Sequence, residues 1–360
     1  MSICFIGSEI YRLPVFQPPH PLAVPRAMLA HDLCRALGWL ADSQYIEATA
    51  ATLAELARFH ATDYLVALQT AEAQQSLPPD VSARTRIGKD ANEIHPAVFR
   101  RPAISAGSAL QAASLVAAGG AVYAPGAGNH HGMPDRANGF CFVNDIALAI
   151  LRWRDLGIRR IAYLDLDAHH GDGVEAAFAS DADILTISVH EAGRWPRTGT
   201  ASVPANSIWN FPVPPGFNDT ELRALMTSKV LPVLRNFAPD ALIFLPGADA
   251  LQDDPMSRLA LSNNAIWEAL AAVRGLAPRL AVLGGGGYNP FTLARCWAGI
   301  WAILNDIPVP EALPQAAQSV LRGAAYFRSA GRNPPPHWFE QLRDAPAEGA
   351  VRDEVKGFWA

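Results

Sequence analysis

Ile161-Ala162-Tyr163-Leu164-Asp165-Leu166-Asp167-Ala168-His169-His170-Gly171-Asp172 joins an apolar run to a cluster of ionisable side chains. Nearly continuous apolar runs of this length are typical of parallel strands covered on both faces. Similar runs recur along the chain with helical patterns between them, which predicts an α/β fold. We expect a mostly parallel central sheet of about eight strands with helices on both faces. The clearest strand candidates are Ile3–Ile6, Ala121–Ala124, Ile161–Leu166, Ile184–Val189, Ala241–Leu245 and Arg279–Leu283.

Helix ends can be placed at polar residues that precede periodic apolar segments and at glycines that follow them. No internal repeat or low-complexity linker divides the chain, so we expect a single domain over residues 1–360. The C-terminal tail, residues 331–360, contains a proline-rich piece and is expected to pack on the surface of that domain. The predicted helices run from Ser105 to Gly119, from Asn144 to Gly157 and from Ser262 to about Gly275, each beginning at its capping residue.

The composition limits the classes of protein. The chain has 360 residues, half of them hydrophobic, and its formal charge is −5. There is no run of five basic residues, so nucleic acid is not expected as a direct partner. There is also no secretory signal pattern and no apolar run of about 18 residues, which predicts a cytoplasmic protein outside the membrane. The four cysteines lie far apart, which argues against disulfides and against a thiolate zinc site.

Three ionisable residues alternate at the end of the strand that precedes His170. Side chains two residues apart in an extended segment point the same way, so Asp165, Asp167 and His169 are expected to share one direction. Such a group is costly at the end of a buried strand unless a cation compensates it. Asp249 follows another predicted strand and is the third ligand candidate besides Asp167 and His169. This donor set suits a catalytic zinc, and Fe(II) is chemically plausible too. The alternatives are a metal-free strand end and, for Asp249, a helix cap.

Two further loops carry polar side chains towards the same edge of the sheet. The pair His130-His131 follows the strand that ends at Ala124, and a neutral imidazole there could accept a proton from a water molecule. Asp165 and Asp172 are available to fix the tautomers of the two rings. Residues 284–288 read Gly-Gly-Gly-Gly-Tyr, which lets the backbone approach a site closely and places a tyrosine where it can stabilise an oxyanion. A phosphate-binding loop is the weaker alternative, since no phosphate-loop motif is present.

Aromatic residues lie in loops beside these elements. Phe140, within Gly139-Phe140-Cys141-Phe142, and Trp195 are candidates for the walls of a narrow apolar channel. Taken alone, either ring is more simply explained by core or surface packing.

Together these segments resemble the histone deacetylase superfamily, including its bacterial deacetylase-like and acetoin-utilisation-like members. The similarity runs from about Pro21 to Trp297 and rests on an ordered set of motifs. It implies the arginase/deacetylase type of α/β fold. The motifs are AGNHHG (127–132), GFCFVNDIALA (139–149), DLDAHHGDG (165–173), SVH (188–190), GADAL (247–251) and GGGGYN (284–289).

The resemblance implies a zinc-dependent amide hydrolase that holds one zinc ion on the three ligand candidates named above. It pairs His130 with Asp165 and His131 with Asp172, and it makes His131 the general base. Tyr288 corresponds to the tyrosine that polarises the scissile carbonyl and stabilises the oxyanion.

The same resemblance implies residues that contact the substrate. Phe140 and Trp195 correspond to the aromatic pair of the acyl-lysine tunnel, and Gly139 and Gly286 lie beside it. Asp90 corresponds to a rim carboxylate that holds the substrate backbone, although the spacing differs there. Arg26 resembles a residue of the segment that borders the foot and rim of the pocket.

A structural potassium ion is also implied by the resemblance. Its ligands correspond to the backbone carbonyls of Asp165, Asp167 and His169, together with Ser188 and Val189.

Two departures from the family pattern bear on the site. Asn129 stands where relatives carry Gly, Leu or Trp before the histidine pair. Trp195 replaces the more common phenylalanine and is expected to narrow the channel, which disfavours a bulky protein substrate.

Several functions stay open at this point. The favoured one is deacetylation of acetyl-lysine or of a small acetylated amine such as an acetylpolyamine. An arginase-like ureohydrolase would need two Mn²⁺ ions and bridging carboxylates, and the stretch around Asp249 lacks a close carboxylate partner of that kind. A non-catalytic protein that binds an acylated ligand is a further alternative. The sequence leaves the acyl length and the oligomeric state open, a homo-oligomer included.

Overall fold

The central element is a sheet of eight parallel strands in a computed structural model that describes residues 3–359. The strands lie in the order β2-β1-β3-β8-β7-β4-β5-β6, and every neighbouring pair is parallel. The predicted fold class is therefore confirmed. The strands are β1 (Cys4–Gly7), β2 (Tyr45–Glu47), β3 (Gly120–Ala124), β4 (Ile161–Asp165), β5 (Ile184–Glu191), β6 (Ile208–Val213), β7 (Ala241–Leu245) and β8 (Arg279–Leu283).

All six predicted strands are present, within two residues of the expected ends. The two strands that the sequence did not indicate, β2 and β6, form the two edges of the sheet. Strand β2 has only three residues, none of them buried. Strand β6 includes Asn210 and Pro212, which interrupt its apolar pattern, and proline is tolerated in a sheet mainly on an edge strand. Edge strands therefore lack the continuous apolar runs that mark the buried centre.

The two faces of the sheet bury separate sets of side chains because residues of a strand alternate between its faces. In β4, Ala162 and Leu164 pack into one core, which is shared with residues of helices α1, α10 and α11. Ile161 and Tyr163 pack into the other core, which is shared with residues of α5, α6 and α7. The helices are α1 (Ala27–Ala36), α2 (Leu53–Leu56), α3 (Thr62–Gln74), α4 (Pro79–Thr85), α5 (Arg100–Leu115), α6 (Asp145–Asp155), α7 (Asp172–Phe178), α8 (Asp219–Leu225), α9 (Leu231–Phe237), α10 (Asn263–Val273), α11 (Pro290–Leu304), α12 (Gln315–Arg322), α13 (His337–Glu340) and α14 (Asp353–Lys356).

One of the three predicted helix starts is wrong. Asn144 does cap α6, since its side chain accepts a hydrogen bond from the amide of Ala147. Ser262 also precedes α10, but its hydroxyl binds Asp219. Ser105 lies inside α5, which begins five residues earlier. Pro102 is compatible with that earlier start because the first turn of a helix does not use its amide hydrogens. The Ser105 hydroxyl instead donates to Asp145 at 2.6 Å.

The last residues of the chain contribute to the larger core. Trp338, Phe339 and Leu342 are buried in it. Asp344 forms a 2.7 Å ion pair with Arg295, a fully buried side chain of α11. These contacts tie the C-terminal segment to a central helix.

The order of the strands determines where a site can form. Strands β3, β8, β7 and β4 are neighbours, so their carboxyl ends meet along one edge of the sheet. The segments that follow these four strands carry, respectively, the histidine pair, the glycine run, Asp249 and the Asp167–His169 segment. In open parallel sheets the crevice at the carboxyl ends of the strands is where ligands bind.

Candidate metal and catalytic site

The three predicted metal ligands lie together at the carboxyl ends of β4 and β7. The nearest ligand atoms of Asp167, His169 and Asp249 all lie within 4.8 Å of one another, and all three residues are buried. Nδ1 of His169 is 3.0 Å from Oδ2 of Asp249 and 3.2 Å from Oδ1 of Asp167. Two carboxylates and one imidazole therefore converge on a single point.

Burial and mutual charge set the protonation of this group. Burial alone would lower the pKa of His169, but hydrogen bonds to Asp167 and Asp249 raise it to about 10. The pKa of Asp249 is raised by burial and then by the charge of Asp167. Two buried carboxylates that repel each other call for a positive charge between them, and a divalent cation on the same three atoms supplies it.

Glycines allow the backbone to approach this group. The amide of Gly286 donates a 2.6 Å hydrogen bond to Oδ2 of Asp167. A Cβ atom on Gly286 would collide with the carboxylate of Asp249, and one on Gly247 would collide with Asp167. The glycine run after β8 is thus needed for close packing against the ligands, as its composition predicted.

The histidine pair lies beside the metal-ligand group, and each ring has its own carboxylate. Nδ1 of His130 is 2.8 Å from Oδ2 of Asp165. Nδ1 of His131 is 2.7 Å from Oδ1 of Asp172, the first residue of α7. The two rings lie 3.9 Å apart between centroids. The four residues therefore form two adjacent His–Asp pairs.

The two imidazoles differ in charge state. Burial would lower the pKa of His130, but the charges of Asp165 and Asp167 raise it to about 9. Burial, together with the charge of His130, lowers the pKa of His131 to about 3. His131 is therefore neutral at neutral pH, and with Nδ1 engaged by Asp172 its Nε2 is left as a proton acceptor.

Tyr288 follows the glycine run and is buried near the ligand group. Its backbone amide donates a 2.6 Å hydrogen bond to Oδ2 of Asp254, while its hydroxyl has no hydrogen-bond partner among residues 3–359. Burial and then the charge of Asp249 raise the pKa of Tyr288 well above its usual range. The phenol therefore stays protonated and can donate a hydrogen bond.

The cavity above these groups has a volume of about 1060 Å³ and places the predicted substrate contacts on its lining. His131, His169 and Tyr288 form its floor. The walls include Gly139, Phe140, Trp195 and Asp90. Gly286 lies deeper, in a small pocket beside Asp167.

The aromatic walls contact different catalytic side chains. Trp195 packs edge-to-face on His131 with the ring centroids 4.7 Å apart, and 44% of the indole residue is exposed. Phe140 packs against Tyr288 with the centroids 6.1 Å apart. A Cβ atom on Gly139 would collide with the indole of Trp195, so only glycine leaves room for this ring.

The residues assigned to a potassium site lie at or just after the end of β4 and beside it in β5. Asp165 and Ser188 are register partners in the β4–β5 pair, and Val189 follows. The backbone carbonyls of Asp167 and His169 accept no hydrogen bond from any residue between 3 and 359. These oxygens are therefore available to a cation.

Several supporting residues were not indicated by the sequence. Asp145 is fully buried and accepts hydrogen bonds from the amides of Gly128 and Asn129, which shapes the loop before the histidine pair. The Asn129 side chain also donates to Asp145, which accounts for this departure from the family pattern. Asp254 binds the Tyr288 amide, and burial together with Asp249 raises its pKa to about 7. Its one sequence signal is its position five residues after Asp249.

Arg26 lies behind the ligand group. Its guanidinium donates to the carbonyl of Gly285, and it lies 5.8 Å from the ring centre of Tyr288. It borders the inner pocket rather than the outer cavity.

Sequence comparison agrees with this geometry. The sequence model of the histone deacetylase domain matches residues 20–304. The chain belongs to the histone deacetylase family. Its similarity to the acetoin utilization protein AcuC of Bacillus subtilis is 30% identity over 325 residues, 86% of this chain and 84% of the relative. Histone deacetylase 8 of Xenopus tropicalis is 32% identical over 299 residues, 80% of each chain.

Solved structures show the same family fold. A histone deacetylase homologue complexed with SAHA superimposes with a TM-score of 0.94 at 33% identity, covering 100% of this chain and 99% of the other. A homologue from Aquifex aeolicus gives the same TM-score at 32% identity and the same coverage. The protein is therefore a histone deacetylase-type hydrolase. Among residues 3–359, no helix is long and apolar enough to cross a membrane.

Proposed function

We propose that this protein hydrolyses an acyl amide in a zinc-dependent reaction and that its substrate is an acylated lysine or a small acylated amine. The observation that carries the proposal is the convergence of three elements on one cavity floor. These are the Asp167–His169–Asp249 group, the neutral His131 with its Asp172 partner, and the protonated Tyr288 hydroxyl.

The residues present fit a zinc ion. Asp167, His169 and Asp249 offer two oxygens and one nitrogen within 4.8 Å of one another, in a buried setting. Three protein ligands of this kind with a free position are typical of catalytic zinc. When bound there, zinc would act as a Lewis acid toward the carbonyl oxygen and the attacking water. The described residues contain one such group of ligands, which favours a single metal over a dimanganese centre.

His131 is proposed as the general base. Its Nε2 accepts a proton from the attacking water while the Nδ1 hydrogen stays bound to Asp172. Asp172 holds the ring in this tautomer, and Asn138 donates a 3.0 Å hydrogen bond to the other oxygen of Asp172. The water oxygen forms the new bond to the acyl carbon, and the C–N bond breaks. The proton held by His131 passes to the departing amine nitrogen, which leaves a carboxylic acid and an amine. The acid proton then passes to the amine, which gives a carboxylate and an ammonium group.

Tyr288 is proposed as the donor to the oxyanion that develops on the acyl oxygen. Its hydroxyl is protonated and has no partner among residues 3–359, so a hydrogen bond to the oxyanion replaces no existing one. A hydrogen-bond donor that points at the oxyanion of the transition state in a buried site makes one of the largest contributions to the rate of acyl transfer.

Phe140 and Trp195 are proposed to hold the aliphatic part of the acylated amine, with Gly139 making room between them and the catalytic histidine. Asp90 is proposed to contact the substrate at the rim. The carbonyl groups of Asp165, Asp167 and His169, with Ser188 and Val189, are proposed to hold a structural potassium ion. The free carbonyls of Asp167 and His169 support that assignment.

The decisive experiment is a turnover screen across acyl-lysine peptides and acetylated polyamines, using enzyme stripped of metal and then reloaded with zinc. We expect hydrolysis by the zinc-loaded enzyme and none by the stripped enzyme. No turnover of any acylated amine by zinc-loaded protein that still binds a hydroxamate would instead support the non-catalytic binder.

A further inference from the structure

The mouth of the cavity is rich in positive charge, although the whole chain has a formal charge of −5. Of the residues that the structure describes, only Asp90 and Glu191 bring carboxylates to the same lining. The cations of the lining are Arg86, Arg136, Arg194, Arg197 and Arg258.

Both carboxylates are already paired. Asp90 forms an ion pair with Arg86. Glu191 is buried, and its oxygens accept hydrogen bonds from the Arg194 guanidinium and from the backbone amide of Arg258 at 2.8 Å. Each carboxylate is therefore matched by a guanidinium group on the same lining.

Of the other three arginines at the mouth, Arg197 and Arg258 have no such partner. Arg136 pairs with its neighbour Asp135 at 3.0 Å. The guanidinium groups of Arg197 and Arg258 are exposed and make no hydrogen bond or ion pair with any of residues 3–359. Their charges are thus presented to whatever enters the cavity.

The backbone segments that carry these two arginines are held in place. Next to Arg197, the hydroxyl of Thr198 lies 2.8 Å from Nδ1 of buried His170, and the carbonyl of Gly199 lies 3.1 Å from Nε2 of buried His190. At Arg258, the amide binds Glu191 and the carbonyl accepts a 2.7 Å hydrogen bond from Gly216. The backbone positions of the two arginines are therefore fixed at the mouth.

We propose that the enzyme selects acylated amines whose amine-bearing part carries carboxylate groups, and that Arg197 and Arg258 are the residues that select them. This inference rests on the proposed function, because the acyl group must point inward to the zinc ligands for the rest of the substrate to meet the mouth. Carboxylate groups of a substrate are attracted by the two unpaired guanidinium groups, whereas ammonium groups of a substrate are repelled by them. Acetylated polyamines and lysine-rich peptide tails are accordingly poor substrates, and acidic acyl-lysine compounds are good ones.

The test compares capped acetyl-lysine peptides that differ only in flanking residues: glutamate, glutamine or lysine. A second arm uses N-capped acetyl-lysine and compares the compound that has a free α-carboxylate with the compound that has an α-carboxamide. This comparison shows whether a terminal carboxylate, and not only an acidic side chain, can supply the negative charge. We expect kcat/KM to be about tenfold higher for the glutamate than for the lysine peptide at low salt. The ratio should shrink as the ionic strength rises.

Variants assign the effect to the two residues. In the zinc-loaded Arg197→Gln/Arg258→Gln protein we expect the glutamate-to-lysine ratio to fall towards one. The matched control is Arg159→Gln, which removes an exposed arginine two residues before β4, at the amino ends of the strands. It should keep the wild-type ratio. Equal kcat/KM for all three peptides, or a preference that persists in the double variant, would overturn the inference.

Failure of the proposed function is distinguishable. If even the glutamine-flanked peptide is not hydrolysed, the proposed function fails, and the charge preference is then measured as binding. The probes are fluorescent peptides with glutamate or lysine flanks in which a hydroxamate replaces the acetamide. Tighter binding of the acidic probe supports the inference, and equal dissociation constants contradict it.

Discussion

A hydrogen bond of 2.7 Å joins Nδ1 of His131 to Oδ1 of Asp172, and Asn138 donates to the second oxygen of the same carboxylate. Each oxygen of the Asp172 carboxylate therefore accepts a hydrogen bond. This arrangement holds His131 with its proton on Nδ1 and leaves Nε2 free, which is the tautomer a general base needs.

Asp172→Asn should abolish this arrangement. Asparagine has one oxygen for the donors that Asp172 binds, namely His131, Asn138 and the Gly173 amide, so its NH₂ group must face either His131 or Asn138. Where the NH₂ group faces His131, the imidazole proton moves to Nε2. We expect kcat to fall by about 10²- to 10⁴-fold with little change in fold, by analogy with the same substitution in serine proteases. Steady-state kinetics on an acetyl-lysine peptide measure this. The control is Asp155→Asn, an exposed residue paired with Arg58. A kcat within threefold of wild type would show that Asp172 does not orient the base.

Tyr288→Phe removes the proposed oxyanion donor. Because the hydroxyl has no partner among residues 3–359, its loss should leave folding intact and lower kcat by about 10²- to 10³-fold, or about 2.7–4 kcal/mol. The change in KM should be small. Tyr45→Phe on the edge strand β2 is the matched control, since its hydroxyl binds only Glu47 at 2.7 Å. Deacetylation at the wild-type rate by Tyr288→Phe would rule out this role.

Removal of the metal should destabilise the protein as well as inactivate it. Asp167, His169 and Asp249 come together only in the folded chain, so a cation that binds them stabilises the folded state. At a free zinc concentration about 100 times the dissociation constant, the gain is about 2.7 kcal/mol. Thermal unfolding before and after chelation measures the loss. Elemental analysis of purified protein should give one zinc per chain, and two manganese ions per chain would favour the ureohydrolase alternative.

Much of this site could be predicted because its residues follow buried strands. The ends of β4, β7 and β8 were visible as continuous apolar runs, so Asp167, Asp249 and Tyr288 could be assigned to one edge of the sheet. The edge strands were missed, since exposed positions carry no such pattern. The pattern around Ser105 wrongly predicts a helix cap because a capping serine and a buried serine look alike in sequence.

The mouth of the cavity could not be predicted from the sequence. Arg86, Arg136, Arg197 and Arg258 lie in four separate loops, and their common lining exists only in the folded chain. Asp145 and Asp254 were missed for a similar reason: each acts through backbone amides of distant loops, which leave no motif.

Gly139→Ala tests how tightly the channel is packed. A methyl group there would collide with the indole of Trp195, and the glycine has a φ of 54°, which alanine adopts at a cost. We expect kcat/KM to fall at least tenfold because the indole must move away from His131. Trp195→Phe in the same chain should restore part of the activity, since the smaller ring leaves space.

The matched control for this pair is Gly157→Ala, which also has a positive φ but no atom within 4 Å of the added Cβ. This variant should be destabilised by the same kind of backbone strain but should keep the wild-type kcat and KM. No rescue by Trp195→Phe would show that the indole is not the cause, and would leave backbone strain or the contact of the same Cβ with Cδ2 of His131 as the source of the loss.

His60 should make the stability of the protein depend on pH. Its Nε2 accepts a 3.0 Å hydrogen bond from the amide of Asn144, and Nδ1 lies 3.1 Å from the carbonyl of Met133, just after the histidine pair. Burial lowers the pKa of His60 to about 4, from an ordinary value of 6.5. The folded state therefore excludes a proton that the unfolded state binds. The contribution is fully present above pH 6.5 and is lost as the pH falls towards 4, by about 3 kcal/mol in total.

His60→Gln keeps an acceptor for the Asn144 amide and removes the titration. The free energy of unfolding of the wild type should therefore fall more steeply between pH 6.5 and 4 than that of the variant, by up to about 1.4 kcal/mol per pH unit. Urea titrations across this range measure both slopes. His337→Gln, which replaces an exposed histidine, is the control and should follow the wild-type slope. Parallel slopes for wild type and His60→Gln would mean that protonation of this ring does not oppose folding.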